Sequence, residues 1–249
     1  MARVPSSPHA LHKTLDCYFK SKGFTNARFE ESVWRRPADA KYPADIVINC
    51  HVDDSLIACS SLSGMRKFKS ALLQRFTGTD EGPVTQYLGC QLIRDRPNCT
   101  SQLVHTAYTE YLLCAFEMWD EVHIVTPMLP GTRLVKTDCP DTPSPTLQRR
   151  YRSIVGSIGY LVQMTRCDMA FAHGQLSLFL HNPGPVHMAA AERALAYVRG
   201  THYQGLSYCD PGADSRNILT GWLDSDFAAD SDTRRSVTGY ITSLNSAVS

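Results

Sequence analysis

Hydrophobic residues along this chain fall into short blocks of two periods, one helical and one alternating, separated by polar turns. Residues 9–23 carry Leu11, Leu15, Tyr18 and Phe19 at helical spacing, with Gly23 as a stop. Phe24, Phe29, Val33 and Trp34 then lead toward a strand, and Arg36 to Ala44, with two prolines, reads as a loop. Ile46-Val47-Ile48 and Leu56-Ile57-Ala58 predict two strands joined by a tight turn. Helical period returns over 61–76, with Met65, Phe68, Leu72 and Phe76 on one stripe and Arg66, Lys67, Lys69 and Arg75 opposite. A basic face of this kind is ordinarily just solvated. Gln86 to Arg94 predicts a strand with Gly89 in its middle, where a missing side chain lets another backbone approach. A short strand over Ser101 to Val104 and a helix over His105 to Trp119 follow, the latter with Tyr108, Tyr111, Leu112 and Phe116 expected in the core.

Five prolines between Pro127 and Pro145 mark the clearest linker. Beyond it, Tyr151 to Thr165 reads as a helix with Gly156, Ser157 and Gly159 on a small-residue face. Each glycine costs about 1 kcal/mol relative to alanine in a helix, so a closely packed neighbour is expected there. Asp168 to Leu180 and His187 to Gly200 are further helices, Tyr203 to Tyr208 a strand, and Leu219 to Leu244 a strand, an acidic loop and a second strand. The pattern is that of an α+β protein. Arg166, Arg193 and Arg199 have the chemistry to contact phosphate, although exposed arginines are ordinarily solvated.

Composition narrows the class. With 249 residues, 43% of them apolar and 20% charged, the chain can bury a real core and is not disordered throughout. A formal charge of +1 argues against strong nucleic-acid binding by this chain alone, since each phosphate contact draws on basic side chains. The nine cysteines form no Cys-x-x-Cys pair, and Cys50, Cys59 and Cys114 sit in apolar runs, as buried thiols in a reducing compartment would. The first residues lack an apolar signal core, and no stretch reaches the roughly 18 apolar residues that span a bilayer. The expectation is an intracellular protein, cytoplasmic or nuclear, neither secreted nor membrane-bound.

Candidate chemistry lies in two acidic hairpins. Asp53 and Asp54 fall where the first pair of strands turns, so both carboxylates reach one small volume and repel unless a cation sits between them. An Asp pair in a turn is also ordinary turn chemistry, because Asp bonds its own backbone. Asp224, Asp226, Asp230 and Asp232 cluster near the second turn, without the spacing of an EF-hand. No phosphate-cradling glycine-rich loop is present, which argues against an unrelated magnesium-dependent phosphotransferase.

The wider context of the first hairpin is more specific. His51-Val52-Asp53-Asp54-Ser55-Leu56-Ile57-Ala58 resembles the Tyr-Val-Asp-Asp-Leu-Leu-Ile-Ala hairpin of reverse transcriptases of the Ty1/copia retrotransposon type, with His51 in place of Tyr and Ser55 in place of Leu. Further matches run in order: Pro8, Ala10, Leu11 (in place of the family's Trp), Leu15, Asp16, Gly23 and Phe24 upstream; Leu88-Gly89; then Tyr108, Leu112, Leu113, Phe116, Met118 and Thr126-Pro127-Met128. Tyr151, Val155-Gly156, Tyr160-Leu161, Thr165-Arg166, Asp168 and Tyr197 to Thr201 are similar to the copia connection region, with Cys167 where the family has Pro. Asp224 to Tyr240 resembles the first hairpin of the copia ribonuclease H domain, with Phe227 for Trp and Ala229 for Gly.

The resemblance implies a partial reverse-transcriptase palm with helical thumb and connection and the first hairpin of a ribonuclease H-like domain. It divides the chain at 1–126 (palm and thumb), 127–150 (linker), 151–212 (connection) and 213–249 (start of ribonuclease H). It implies catalytic, metal-binding Asp53 and Asp54 with Mg2+ or Mn2+, nucleic-acid contacts at Leu88 and Gly89, and a metal ligand at Asp224. Partners would be an RNA or DNA template-primer, a deoxynucleoside triphosphate and the missing polyprotein segments. The family holds its ions with one further Asp on an earlier strand, and no Asp in residues 1–44 has that context, so the chain alone is expected to be inactive. The alternative is a non-catalytic relic serving as a nucleic-acid or protein interaction module, because an incomplete sheet has a pairable edge.

Overall fold

The computed structural model describes residues 8–119, 124–209, 218–228, 230, 232–244 and 247–248. The expected substitution at Ala229 and the expected absence of a signal core over residues 1–7 fall outside them. Two compact units divide the chain, Met1–Val84 and Thr85–Ser249. Both mix helix with antiparallel sheet, as the α+β pattern requires.

In the first unit, α1 (Pro8–Ser21) ends just before Gly23, whose φ of +81° only glycine adopts without strain. β1 (Thr25–Asn26) and β2 (Val33–Arg36) form a hairpin rather than the single strand expected after Phe24. The chain reverses because Asn26 Nδ2 donates to the Glu31 carbonyl at 2.9 Å and Ser32 donates to the Glu30 carboxylate, with Phe29 left in solvent. β3 (Ile46–His51) and β4 (Asp54–Cys59) complete a sheet ordered β1-β2-β3-β4. α2 (Leu62–Arg75) starts at Ser61, whose Oγ accepts the Gly64 N–H at 2.9 Å.

Along β3 the period-two pattern is literal: Ile46, Ile48 and Cys50 are buried, and Val47 and His51 are exposed. The buried face packs on an aromatic cluster with ring centroids 5.1 Å apart for Phe19 and Trp34 and 5.4 Å for Phe24 and Phe68. On α2, Phe68 is the residue that becomes fully buried, and of the basic face Lys69 pairs with Asp80.

The second unit opens with β5 (Gln86–Tyr87), β6 (Cys90–Asp95) and β7 (Thr100–Val104), followed by α3 (Thr106–Ala115). The single strand predicted over Gln86 to Arg94 is a correction. Tyr87 pairs with Cys90, so Leu88 and Gly89 form a two-residue turn with φ of +50° and +80°. Then come α4 (Pro145–Met164), α5 (Ala170–Ser177), α6 (Pro185–Gly200), β8 (Gly205–Cys209), β9 (Leu219–Ser225), β10 (Thr238–Leu244) and β11 (Ala247–Val248). β8 returns to pair with β7, giving the sheet β5-β6-β7-β8, while β9, β10 and β11 form a separate one.

α4, α5 and α6 bury Tyr151, Ile154, Ile158, Leu161, Leu176, Ala191, Leu195 and Val198 in one core, joined by Leu112 and Leu113 of α3. α4 begins six residues earlier than its apolar pattern suggested, because Ser144 caps it and Pro145 suits a first helical turn. Asp168 is in a 3-10 turn (Cys167–Met169) instead of a long apolar helix, and α3 stops at Ala115, short of Trp119. Tyr111, expected in the core, is exposed; the linker is anchored by buried Leu134. The small-residue face divides: a Cβ at Gly159 would stand 2.6 Å from His173 Nε2, whereas one at Gly156 would meet nothing within 4 Å.

Two consequences for stability follow. Gly156→Ala is expected to stabilise by about 0.5–1 kcal/mol through helix propensity, whereas Gly159→Ala is expected to destabilise by about 1–3 kcal/mol through overpacking; urea unfolding of the two variants checks the opposite signs. His187 is fully buried, stacks on Phe179 and accepts the Gly184 N–H through Nδ1 at 2.9 Å. Burial pulls its pKa below 6.5 against the opposing pull of Asp138, the Val135 carbonyl and Asp232. The neutral ring is therefore the folded form, and its contribution is intact above pH 6.5 and lost as pH falls below that value. His105 and His173 are shifted the same way by burial. The urea midpoint should drop between pH 7 and pH 5, with a shallower slope in His187→Gln; an unchanged slope would remove His187 from the account.

Candidate metal-binding hairpin

β3 and β4 pair in register from Ile46 opposite Cys59 to His51 opposite Asp54, which leaves Val52 and Asp53 as the loop. Sequence dictates this length, since the apolar runs of both strands reach the core only in one register. The turn sets Val52 at φ +55°, a conformation that β-branched residues almost never adopt. Such a residue persists where the surrounding structure over-determines it. Here the sheet does so: Cys50 Sγ meets Ser55 Oγ at 3.1 Å one pair below the turn, and the buried alternation of β3 lies beneath that. Burial raises the Cys50 thiol pKa against the lowering effect of Ser55, so the thiol stays neutral.

Asp53 and Asp54 are both exposed at this tip, one in the loop and one at the first position of β4. The structure thus places both carboxylates that the sequence singled out at one hairpin tip. Two hard oxygen donors suit a divalent cation such as magnesium in kind. They fall short in number: among the described residues, no three His, Cys, Asp or Glu side chains gather as a metal-binding group.

The other predicted residues lie in the second unit. Leu88 and Gly89 form the β5–β6 turn, and a Cβ at Gly89 would stand 3.2 Å from the Tyr160 hydroxyl. Tyr160 is in turn 3.4 Å from Nε2 of buried His105, whose Nδ1 meets Thr165 Oγ1 at 3.1 Å. The close approach that Gly89 permits within this fold is therefore made by a tyrosine of α4. Asp224 is exposed on β9, opposite Gly239 of β10.

Its acidic neighbours among the described residues accept hydrogen bonds from backbone N–H groups. Asp226 accepts the Val237 N–H at 3.0 Å, Asp230 accepts the N–H groups of Asp232 and Thr233 at 2.8 Å, and Asp232 accepts the Lys136 N–H at 2.9 Å. Three of the four clustered carboxylates are thus engaged by backbone N–H donors.

Arg166 overturns a second expectation. It is 2% exposed, so it is neither solvated nor open to phosphate. Nε and Nη2 clasp Asp168 at 2.9 and 2.8 Å, Nη1 reaches the Thr201 carbonyl at 3.1 Å, and Nη2 reaches Thr201 Oγ1 at 2.7 Å. Burial pushes the Asp168 carboxyl up, but Arg166 and the Tyr197 hydroxyl outweigh it and hold its pKa below the ordinary value. The Arg-x-Asp spacing was the available signal, and it marks a bidentate clasp rather than a surface charge.

Residues 4–130 match a family model described as reverse transcriptase (RNA-dependent DNA polymerase). That span is about half of the 249-residue chain, and the chain belongs to this family. Its relatives place it among copia-like retrotransposon Pol proteins. It is 33% identical over 242 residues to the retrovirus-related Pol polyprotein from transposon TNT 1-94 of Nicotiana tabacum, covering 96% of this chain and 18% of that protein. It is 30% identical over 241 residues to the Pol polyprotein from transposon RE2 of Arabidopsis thaliana, covering 97% of this chain and 16% of that one. It is also 33% identical over 194 residues to an uncharacterised mitochondrial protein of Arabidopsis thaliana, covering 78% of this chain and 77% of that protein. The chain thus spans less than a fifth of the Pol polyproteins it matches. No solved structure matches it. No helix among the described residues is long and apolar enough to cross a membrane.

The strain at the tip gives a direct test of the turn geometry. Val52→Gly is expected to raise stability by about 1 kcal/mol, because glycine takes positive φ without cost. A urea midpoint that falls instead would show that the valine side chain holds the turn.

Proposed function

We propose that this chain is a segment of a copia-type reverse transcriptase in which Asp53 and Asp54 are the metal-holding, catalytic carboxylates of the palm. The observation that carries the reading is the strained two-residue turn, which presents adjacent exposed carboxylates on a sheet whose opposite face is buried. In this reading residues 1–126 are palm and thumb, 127–150 a linker, 151–212 the connection and 213–249 the opening of a ribonuclease H-like domain, with Asp224 as a metal ligand there. The β5–β6 turn at Leu88 and Gly89 faces the nucleic-acid template-primer.

A divalent ion, held by Asp53 and Asp54, would supply the positive charge that activates a primer hydroxyl and stabilises a leaving pyrophosphate. Two carboxylates on one turn match that ion's preference for oxygen but are too few to hold it tightly. No step of nucleotidyl transfer is therefore assigned to this chain by itself. Asp53 and Asp54 supply negative charge and oxygen donors at the tip of the β3–β4 hairpin.

A second reading, a non-catalytic interaction module, draws on the β9–β10 hairpin. Leu223 and Tyr240 pair across it with 82% and 76% exposure, and Trp222 and Ile241 are exposed on the other face. A hairpin wet on both faces has apolar surface suited to a partner.

Two assays test the proposal. Primer extension on an RNA template with magnesium or manganese should give no product from this chain or from Asp53→Asn; product that vanishes in the variant would overturn the two-carboxylate argument. Manganese binding, followed by electron paramagnetic resonance, should be weak, at about millimolar Kd, and abolished in Asp53→Asn/Asp54→Asn. Binding left intact in that double variant would remove the hairpin from the metal site.

A further inference from the structure

The first unit contains a buried cation without a counter-charge. Arg36, the last residue of β2, is 9% exposed, yet among the described residues no carboxylate oxygen lies within ion-pair distance of it. Nη1 donates to the Lys22 carbonyl at 3.1 Å, while Nε is enclosed with no hydrogen-bond partner. Aromatic faces surround the guanidinium: its Cζ is 3.9 Å from the Tyr42 ring centroid, 4.6 Å from Phe24 and 6.0 Å from Phe68. Lys41 Nζ lies 5.1 Å from the same Tyr42 ring, so one ring serves two cations.

Two carboxylates are near in the chain but are turned away. Asp39 accepts the N–H groups of Lys41 and Tyr42 at 2.8 and 2.5 Å. Asp45 accepts the Ala38 N–H at 3.1 Å and stands 3.9 Å from Arg35 Nη2. The loop between β2 and β3 is thereby tied to itself, with the Asp39 N–H donating to the Tyr42 carbonyl at 2.8 Å. Its acids are engaged by its own backbone and by Arg35, and among the described residues Arg36 and Lys41 have no carboxylate partner. A buried guanidinium in this state is costly, and the aromatic rings offset only part of that cost.

We propose that Arg36 and Lys41 form a binding site for a phosphate group. The Nε–Nη2 edge of a guanidinium matches two phosphate oxygens in a fork, and a lysine adds a point charge beside it. A phosphate monoester carries close to two negative charges, which balances the two cations on Tyr42. The site is separate from the Asp53-Asp54 tip. Arg36 pairs with Ile46 at one end of β3, and the metal hairpin turns at the other, after His51. Five residues of extended strand put them roughly 17 Å apart.

The test uses the whole 249-residue chain. Inorganic phosphate is titrated at constant ionic strength against a chloride control, following the Arg36 Nε–H resonance and the melting temperature. Phosphate should bind saturably at about millimolar Kd, weaken about tenfold in Arg36→Lys, which loses the fork, and about threefold in Lys41→Ala, which loses one charge. A short oligothymidylate is then added as competitor. Displacement of phosphate identifies a nucleic-acid phosphodiester as the natural source, and no displacement identifies a small phosphate monoester; either outcome sustains the site. A response equal to chloride, or phosphate binding unchanged in both variants, overturns it and leaves Arg36 as a cation–π staple. Should Arg36→Lys fail to fold, Lys41→Ala, made at an exposed side chain, decides alone.

Discussion

Two adjacent, exposed carboxylates stand at the end of a hairpin whose register the first unit holds fixed. Extended chain would send Asp53 and Asp54 to opposite faces of the sheet. The two-residue turn instead places Asp53 in the loop and Asp54 at the first position of β4, at the cost of holding Val52 at positive φ. What resists relaxation is the register: slipping β3 by one residue would take Ile46, Ile48 and Cys50 out of the aromatic core and put Val47, Asn49 and His51 into it. Burying three such side chains is worth several times the roughly 1–3 kcal/mol of one strained residue. The hydrophobic core of α1, α2 and β3 and the chemistry at the tip are thus one constraint viewed from its two ends.

That constraint was legible in the sequence because it is written in local terms. A period of two on each side of His-Val-Asp-Asp admits few registers, and the hairpin is found where the pattern put it. The acidic cluster of the second hairpin was legible as composition but not as chemistry. Whether Asp230 or Asp232 faces an ion or a backbone N–H depends on turn geometry, and Asp232 is engaged by Lys136, 96 residues distant in the chain. Gly89 failed in a different way. A glycine inside an apolar run fits a strand interior and a two-residue turn equally well, and only the pairing of Tyr87 with Cys90 decides between them. The helix glycines show the same limit, since Gly156 and Gly159 are alike in sequence and one alone has a neighbour against its Cα.

The two buried arginines make the point about charge most sharply. Periodicity says nothing about either, because a guanidinium on a long stem is normally carried to the surface. Arg166 is buried with its charge fully answered: a carboxylate two residues on, a carbonyl and a hydroxyl saturate its fork, and the clasp ties the end of α4 to the end of α6. Removing Asp168 would leave the Arg166 guanidinium uncompensated in the core, so the pair acts as a structural pin.

Arg36 is also buried, but in the opposite state. Its neighbours are rings rather than acids, its Nε has nothing to donate to, and the acids within reach along the chain are held by backbone N–H groups. A protein that needed only a pin at this point would gain more from turning Asp39 or Asp45 inward, since a paired guanidinium is far less costly to bury than an unpaired one. That the loop instead closes on its own carboxylates leaves a pre-formed positive site of fixed shape. The difference between the two arginines is one of satisfied donors, and the unsatisfied donor is where a ligand has something to contribute.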